Sequence, residues 1–145
     1  MATNTDPAGP WSLVVPLKPL ARAKSRLARA AGEDARPRLA LAFAQDTVAA
    51  ALACSRVRDV VVVTDDAVAA AALSALGARI VPDAPGAGLN AALAHGARSV
   101  RALRPVAAVA ALNADLPALR TGELARVLDF ASAFPNAFLR DAAGI

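Results

Sequence analysis

Short runs of β-branched and aliphatic residues alternate along the chain with longer segments in which apolar residues recur every three or four positions. The runs predict strands, because a strand buried on both faces of a sheet has no polar side. These strands lie at 12–16, 58–64, 79–82, 105–112 and 136–140. The longer segments predict helices, and these lie at 35–54, 67–76, 89–103 and from 121 onward. Strands that alternate with helices indicate an α/β fold with a mainly parallel sheet and helices on both faces.

Helical spacing also predicts which side chains of each helix face the core. They are Leu39, Phe43, Thr47, Ala50 and Cys54 in the first helix, Leu89, Leu93, Ala97, Val100 and Leu103 in the third, and Leu124, Val127, Leu128 and Ala131 in the last. His95 falls in the middle of the third helix, where we expect a surface or packing role.

Two adjacent carboxylates, Asp65 and Asp66, directly follow the valine-rich run. They could form a metal pair, but they also precede a predicted helix, and Asp is a preferred N-cap residue. We therefore favour the cap over the metal site. By similar reasoning Gly77 ends that helix and Thr121 caps the last one.

The first predicted strand is stopped by two prolines and opens into a basic segment that contains Lys18, Arg22, Lys24 and Arg26. In open α/β sheets, ligands bind outside the carboxyl ends of the strands. A helix that starts there presents backbone N–H groups and the positive end of its dipole to an anion. The segment therefore predicts a polyphosphate site, and the alternative is an ordinary solvated helix start.

Positive charge is concentrated in this part of the chain. Between Lys18 and Arg38 there are seven basic and two acidic residues, a local balance of +5 in a chain whose net charge is +4. The remainder of the chain is therefore close to neutral. A concentrated positive field of this kind attracts a compact anion such as a nucleoside triphosphate.

Composition argues against several classes of function. Aromatic residues make up only 3% of the chain and lie away from the basic segment, which disfavours nucleic-acid binding despite a pI of about 10.5. Cys54 is the only cysteine, which excludes an intramolecular disulfide and a cysteine-cluster metal site. No apolar stretch resembles a leader or a membrane span, so we expect a cytoplasmic protein with no membrane partner. Residues 1–10 form a flexible lead-in and 11–145 form one domain.

Five segments in this order and spacing resemble the phosphoenolpyruvate or 2-phospho-L-lactate guanylyltransferases of coenzyme F420 biosynthesis. They are VVPLKPLARAKSRLA at 14–28, RPRLALAFAQDTVAAAL at 36–52, VVVTDD at 61–66, GLNAAL at 88–93 and ALNADLPAL at 111–119. The resemblance implies a Rossmann-like, glycosyltransferase-A-like nucleotidyltransferase fold. It also implies GTP as substrate, a divalent metal such as Mg²⁺, and transfer of GMP to the phosphate of a three-carbon acid with release of diphosphate.

The same resemblance implies roles for individual residues. Lys18, Lys24 and Arg26 would hold the GTP phosphates, with Lys24 at the reacting α-phosphate as a catalytic residue. The segment Gly88, Leu89 and Asn90 would meet the guanine base. Asp115 would be a catalytic metal ligand, whereas its ordinary alternative is a turn residue before a proline.

Beyond Gly144 the resemblance stops. In the family, a Gly-Thr-Gly-Thr-Thr loop, a Phe-Gly-x-x-Ser stretch for the phosphorylated acid and a second acidic cluster for metal follow this position. Here Ile145 is the last residue, so we expect the acceptor site to be absent and the sheet to be incomplete at its C-terminus. An uncovered sheet edge would also favour self-association.

Three other functions fit parts of this pattern less well. Molybdenum-cofactor guanylyltransferases open with a glycine-rich loop after the first strand, and this chain has no glycine between that strand and Gly32. A receiver-like module built on Asp65 and Asp66 would need acidic residues, not cations, after the first strand. A non-enzymatic nucleotide- or anion-binding fragment stays open as the third alternative.

We expect residues 1–145 to show no transfer of GMP to phosphoenolpyruvate. Positioning two substrates beside each other can contribute roughly 7–11 kcal/mol to lowering a barrier, and this contribution is lost without an acceptor site. The measurement is diphosphate release in the presence of GTP, Mg²⁺ and phosphoenolpyruvate. Steady turnover that Asp115→Ala abolishes would contradict the expectation.

Overall fold

The computed structural model describes residues 9–21, 35–84, 86–135 and 137. Its strands are β1 (Trp11–Pro16), β2 (Val57–Val63), β3 (Arg79–Val81) and β4 (Ala108–Ala111). Its helices are α1 (Ala35–Leu52), α2 (Ala67–Leu76), α3 (Leu89–Leu103) and α4 (Thr121–Ala131). The strand predicted at 136–140 lies outside the described residues, apart from Ala137.

The four strands form one parallel sheet in the order β3-β2-β1-β4. β1 pairs on both sides, so that Val14 lies opposite Val61 of β2 and Ala111 of β4. The chain builds outward from β1 to β3 and then crosses to the other side of β1 to make β4. The order of the strands therefore reverses between β1 and β4.

Helices cover both faces of the sheet, which confirms the predicted α/β architecture. Alternate side chains of β1 point to opposite faces. Leu13 and Val15 join the cluster formed with α1, α2 and α4, whereas Val14 joins the cluster formed with α3. The valine run of β2 is buried along its length, with residues 60–63 at most 1% exposed. β2 is therefore the central, doubly covered strand that the sequence predicts.

Strand β4 differs from its prediction. The sequence predicts a fully buried strand over 105–112, but β4 covers only Ala108–Ala111 and its side chains are half-buried or exposed. Among the described residues it pairs only with β1. The alanines of β4 supply little bulk, and the strand is less buried than its apolar sequence predicts.

The buried faces of α1 and α3 are also shifted from the predicted ones. The side chains that α1 buries are Ala40, Ala44, Thr47, Val48 and Ala51, while the predicted Leu39, Phe43 and Ala50 are half-buried beside them. In α3 the buried residues are Ala92, Gly96 and Val100, whereas Leu89 is 54% and Leu103 70% exposed. Small residues let each helix lie close to the sheet, and a pattern that weights large apolar residues misplaces the contact.

Gly96 marks the closest approach of α3 to the sheet. A Cβ atom at this position would lie 2.5 Å from Val14 Cγ1 and 2.9 Å from Val63 Cγ2. Both distances are well inside ordinary van der Waals contact, and both valines are fully buried. Glycine is therefore required here by space.

The ends of α2 agree with the capping residues that the sequence predicts, whereas the start of α4 does not. The Asp66 side chain accepts a hydrogen bond from Ala69 N and caps α2, as the sequence predicts, and Gly77 closes that helix with a φ of 112°. In α4 the N-cap residue is Arg120, and Thr121 is already helical. The prediction of Thr121 as a cap was therefore wrong by one residue.

We expect Gly96→Ala to lower the free energy of unfolding by about 1–3 kcal/mol, because the added methyl overpacks a rigid core. Denaturant-induced unfolding measures the change. The matched control is Gly122→Ala in α4, where an added Cβ meets no atom within 4 Å. The control should be neutral or slightly stabilising, and equal stabilities of the two variants would contradict the packing argument.

Candidate active site

The carboxyl ends of β1 and β4 flank the point at which the order of the strands reverses. Backbone pairing continues just past the strand ends, since Leu112 N donates to Val14 O and Leu17 N donates to Val63 O, each at 3.0 Å. The loops that follow β1 and β4 therefore start side by side at one edge of the sheet. This position is where open α/β sheets bind their ligands.

A cation and a carboxylate extend from these two loops. Lys18 and Asp115 each lie four residues beyond the paired positions Val14 and Ala111, and both are exposed. The topology thus brings two of the predicted site residues to the same edge of the sheet. Lys24 and Arg26 lie outside the described residues.

The loop after β1 is attached to α2 through a carboxylate. Asp66 Oδ2 accepts a hydrogen bond from Leu20 N at 2.8 Å, while Asp66 Oδ1 accepts one from Ala69 N at 2.9 Å. The Leu20 side chain is buried against Ala40 and Ala69. This short part of the loop, which includes Lys18, is therefore held by both polar and apolar contacts.

The ionised form of Asp66 is favoured by these contacts. Partial burial raises the pKa of Asp66, but the backbone N–H groups of Ala69, Leu20 and Val68 together lower it by more. The pKa of Asp66 therefore lies below its ordinary value. The carboxylate therefore stabilises the fold as an anion.

Asp65 and Asp66 serve the backbone. Asp65 Oδ1 accepts a hydrogen bond from Asp83 N at 2.9 Å, so that it joins the loops after β2 and β3, and Asp66 caps α2. Within the described part of the chain, no group of three or more His, Cys, Asp or Glu side chains could hold a metal ion. The cap that the sequence favoured over a metal pair is therefore the role observed for Asp66.

The start of α3 borders the same edge of the sheet. Gly88 adopts φ 96° and ψ −174°, a conformation that favours glycine, and it forms the N-cap without a side-chain hydrogen bond. Leu89 and Asn90 begin the helix and are exposed. Because α3 packs across β1 and β2 and returns toward their amino ends, its first turn lies at their carboxyl ends. These three residues are accessible to a ligand.

One buried hydroxyl at the site was not singled out for chemistry by the sequence. Thr47 of α1 is fully buried, and its Oγ1 accepts a hydrogen bond from Leu116 N at 2.9 Å. Leu116 follows Asp115 directly, so a helix residue distant in sequence anchors the loop after β4. The sequence carries only a weak signal for this role of Thr47, because a single threonine in an alanine-rich helix is typical of an ordinary core position.

Two solved structures share this arrangement of strands and helices. A nucleotide-diphospho-sugar transferase from Desulfovibrio desulfuricans G20, described as putative, matches with a TM-score of 0.65 and 18% identity over 86% of this chain and 55% of its own. CMP:2-keto-3-deoxy-manno-octonic acid synthetase in complex with CTP matches with a TM-score of 0.54 and 20% identity, over 86% of this chain and 48% of its own. The fold is therefore that of the nucleotidyltransferases.

The sequence comparisons define the family more closely. A family model described as "Guanylyl transferase CofC like" matches residues 11–135, and the chain belongs to this family. A protein named phosphoenolpyruvate guanylyltransferase from Streptomyces coelicolor is 71% identical over 93% of this chain. One of the same name from Thermomonospora curvata is 61% identical over 99% of it. The chain spans 64% and 62% of the length of these two relatives.

No helix of the described residues combines the length and the apolar character that crossing a membrane requires.

We expect Asp66→Ala to lower the free energy of unfolding at pH 7 by about 1 kcal/mol, the usual effect of losing an N-cap. The folded-state pKa lies below the unfolded value of about 3.9, so the contribution is present above that value. It is lost as the pH falls through the folded-state pKa. Unfolding measured from pH 7 to pH 2 should therefore show the difference from the parent chain shrinking.

Two variants serve as controls for this prediction. Asp66→Asn keeps an oxygen for the cap but loses the second carboxylate oxygen that binds Leu20 N, so its effect should be smaller than that of Asp66→Ala. Asp46→Ala removes an exposed carboxylate of α1 and should change stability little. An Asp66→Ala effect that stays constant down to pH 2 would contradict the assigned role of the charge.

Proposed function

We propose that this chain binds GTP together with Mg²⁺ and forms the nucleotide-binding part of a phosphoenolpyruvate guanylyltransferase of coenzyme F420 biosynthesis. The reaction transfers GMP from GTP to phosphoenolpyruvate and yields enolpyruvyl-diphosphoguanosine and diphosphate. One observation carries the proposal: Lys18, in the loop after β1, and Asp115, in the loop after β4, follow neighbouring strand ends at the reversal of the strand order, in a chain of the guanylyl transferase family. The names of the relatives support phosphoenolpyruvate as acceptor over 2-phospholactate, whose product would be lactyl-diphosphoguanosine.

The basic loop would hold the triphosphate. Lys18 and Arg26 would bind phosphate oxygens, and Lys24 would offset the negative charge that develops at the α-phosphate during transfer. Phosphoryl and nucleotidyl transfers depend mainly on positioning and on charge stabilisation of this kind. The contacts that hold Leu20 support this role, because they keep the start of the loop in place before the nucleotide arrives.

Asp115 would bind the Mg²⁺ ion. Mg²⁺ is usually bound by one or two protein carboxylates together with substrate phosphates, so one exposed carboxylate at the sheet edge fits this ion. When bound, the ion would offset charge on the phosphate oxygens. The chain's own contribution would be to present this carboxylate from a loop that starts beside the loop carrying Lys18.

The start of α3 would recognise guanine. The exposed Asn90 amide can both donate and accept hydrogen bonds, as the edge of guanine requires, and the exposed Leu89 offers an apolar surface for the base. Gly88, with no side chain, lets the base approach the backbone. With the amide held in the orientation that matches guanine, this arrangement would favour GTP over ATP, because adenine presents a different order of donors and acceptors.

Calorimetric titration tests the proposal directly. We expect GTP with Mg²⁺ to bind and ATP with Mg²⁺ to bind at least tenfold more weakly. Lys24→Ala should weaken GTP binding by roughly 10- to 150-fold, in line with the loss of a charged hydrogen bond of about 1.5–3 kcal/mol. Asn90→Ala should reduce the preference for GTP over ATP while changing ATP binding little.

Arg126→Ala is the matched control for charge, because Arg126 is an exposed cation on the surface of α4. It should leave both titrations unchanged. Equal binding of GTP and ATP, or no effect of Lys24→Ala, would contradict the proposal.

A further inference from the structure

Thr47 links α1 to the loop that carries Asp115. Its side chain is fully buried, and it is one of three buried polar residues in the described part of the chain, with Ser12 and Thr64. Its hydroxyl donates to Phe43 O, one turn earlier in the same helix, at 2.7 Å. The same oxygen accepts the hydrogen bond from Leu116 N at 2.9 Å, so that both its proton and a lone pair have defined partners.

The contact involves both peptide groups that flank Asp115. The carbonyl of Ala114 belongs to the peptide group before Asp115, and its oxygen lies 3.4 Å from Thr47 Oγ1. The N–H of Leu116 belongs to the peptide group after Asp115 and is the group that Thr47 binds. The φ and ψ angles of Asp115 lie between these two peptide groups. The hydrogen bond from Leu116 N restrains the second of these groups and so limits the directions in which the exposed side chain of Asp115 can leave the backbone.

Apolar contacts alone would not give this control. Ala114 and Leu119 pack against the cluster formed by β1, α1 and α4, and this packing keeps the loop near the core. Non-directional packing of small side chains leaves the rotation of individual peptide groups less restricted than a hydrogen bond does. The Thr47 hydroxyl supplies the directional contact next to the carboxylate.

We propose that Thr47 is a positioning residue that orients Asp115 for binding the metal–nucleotide complex. The inference rests on the proposed function, in which Asp115 binds the divalent ion. Residues that orient a metal ligand typically change metal affinity by 10–100-fold when they are replaced. Thr47 would act through the backbone of the ligand and would not itself touch the ion.

Three substitutions separate positioning from stability. Thr47→Val keeps the shape of the side chain but removes the oxygen that accepts from Leu116 N. Thr47→Ser keeps the oxygen and should restore the contact. Val48→Ala truncates a neighbouring, fully buried side chain of the same helix and destabilises the core without altering the hydroxyl.

Binding of Mn²⁺ in place of Mg²⁺, in the presence of GTP, is followed by electron paramagnetic resonance on the 145-residue chain. We expect Thr47→Val to weaken Mn²⁺ binding about tenfold, and Thr47→Ser and Val48→Ala to stay within about twofold of the parent chain. Amide hydrogen exchange should show loss of protection at Leu116 in Thr47→Val, but protection in Val48→Ala that follows its global stability.

Asp115→Asn distinguishes failure of this inference from failure of the proposed function. If Asp115→Asn leaves Mn²⁺ binding unchanged, the metal role of Asp115 is wrong and the inference falls with it. If Asp115→Asn weakens binding and Thr47→Val does not, the inference alone is overturned. Should Thr47→Val fail to fold, exchange in the parent chain decides, because an unprotected Leu116 amide would overturn the inference.

Discussion

The hydrogen bonding of β1 to a parallel strand on each side is the constraint on which the rest of this structure depends. β1 is buried on both faces and pairs with β2 and β4, which stand on opposite sides of the reversal in strand order. A shift of β1 would break its backbone hydrogen bonds to both neighbouring strands. β1 therefore fixes where its own loop and the loop after β4 begin. The position of the site is therefore set by a buried strand that is paired on both sides.

Beyond the strand ends, individual polar side chains hold the loops in place. Asp66 holds the loop after β1 through Leu20 N, and Thr47 holds the loop after β4 through Leu116 N. Both contacts bind backbone groups of the loops and leave the exposed site side chains Lys18 and Asp115 accessible to a ligand. Helices that pack mainly through alanine cannot direct a loop by bulk, and so directional hydrogen bonds take over that role.

The sequence was sufficient to predict the order and type of the described helices and strands, but not the packing details. The valine run of β2 and the helix between Asp66 and Gly77 were predicted closely, because a continuous β-branched run and a capped helix carry local signals. The faces of α1 and α3 were misplaced, since the close contacts use Ala and Gly96, whose importance is visible only when the opposing valines are in place. The roles of Lys18 and Asp115 come from the family resemblance together with their places after strands, and they stay predictions. The contact of Thr47 could not be predicted, because its partner, Leu116 N, lies 69 residues away in the sequence.

The division between exposed site residues and the side chains that anchor the loops separates two effects of substitution. Replacing an exposed side chain such as Lys18 leaves the core unchanged, as is usual for surface positions, and under the proposed function it would remove a contact with the nucleotide. Replacing Thr47 or Asp66 leaves a backbone N–H without its partner, which costs stability and also releases a loop of the site. Thr47 and Asp66 belong to the α1 and α2 side of the sheet, whereas the first turn of α3 lies on the other face. Under the proposed function, phosphate and metal contacts would therefore depend on packing of the α1 and α2 face, and selection of the base would depend on how α3 lies against Val14 and Val63.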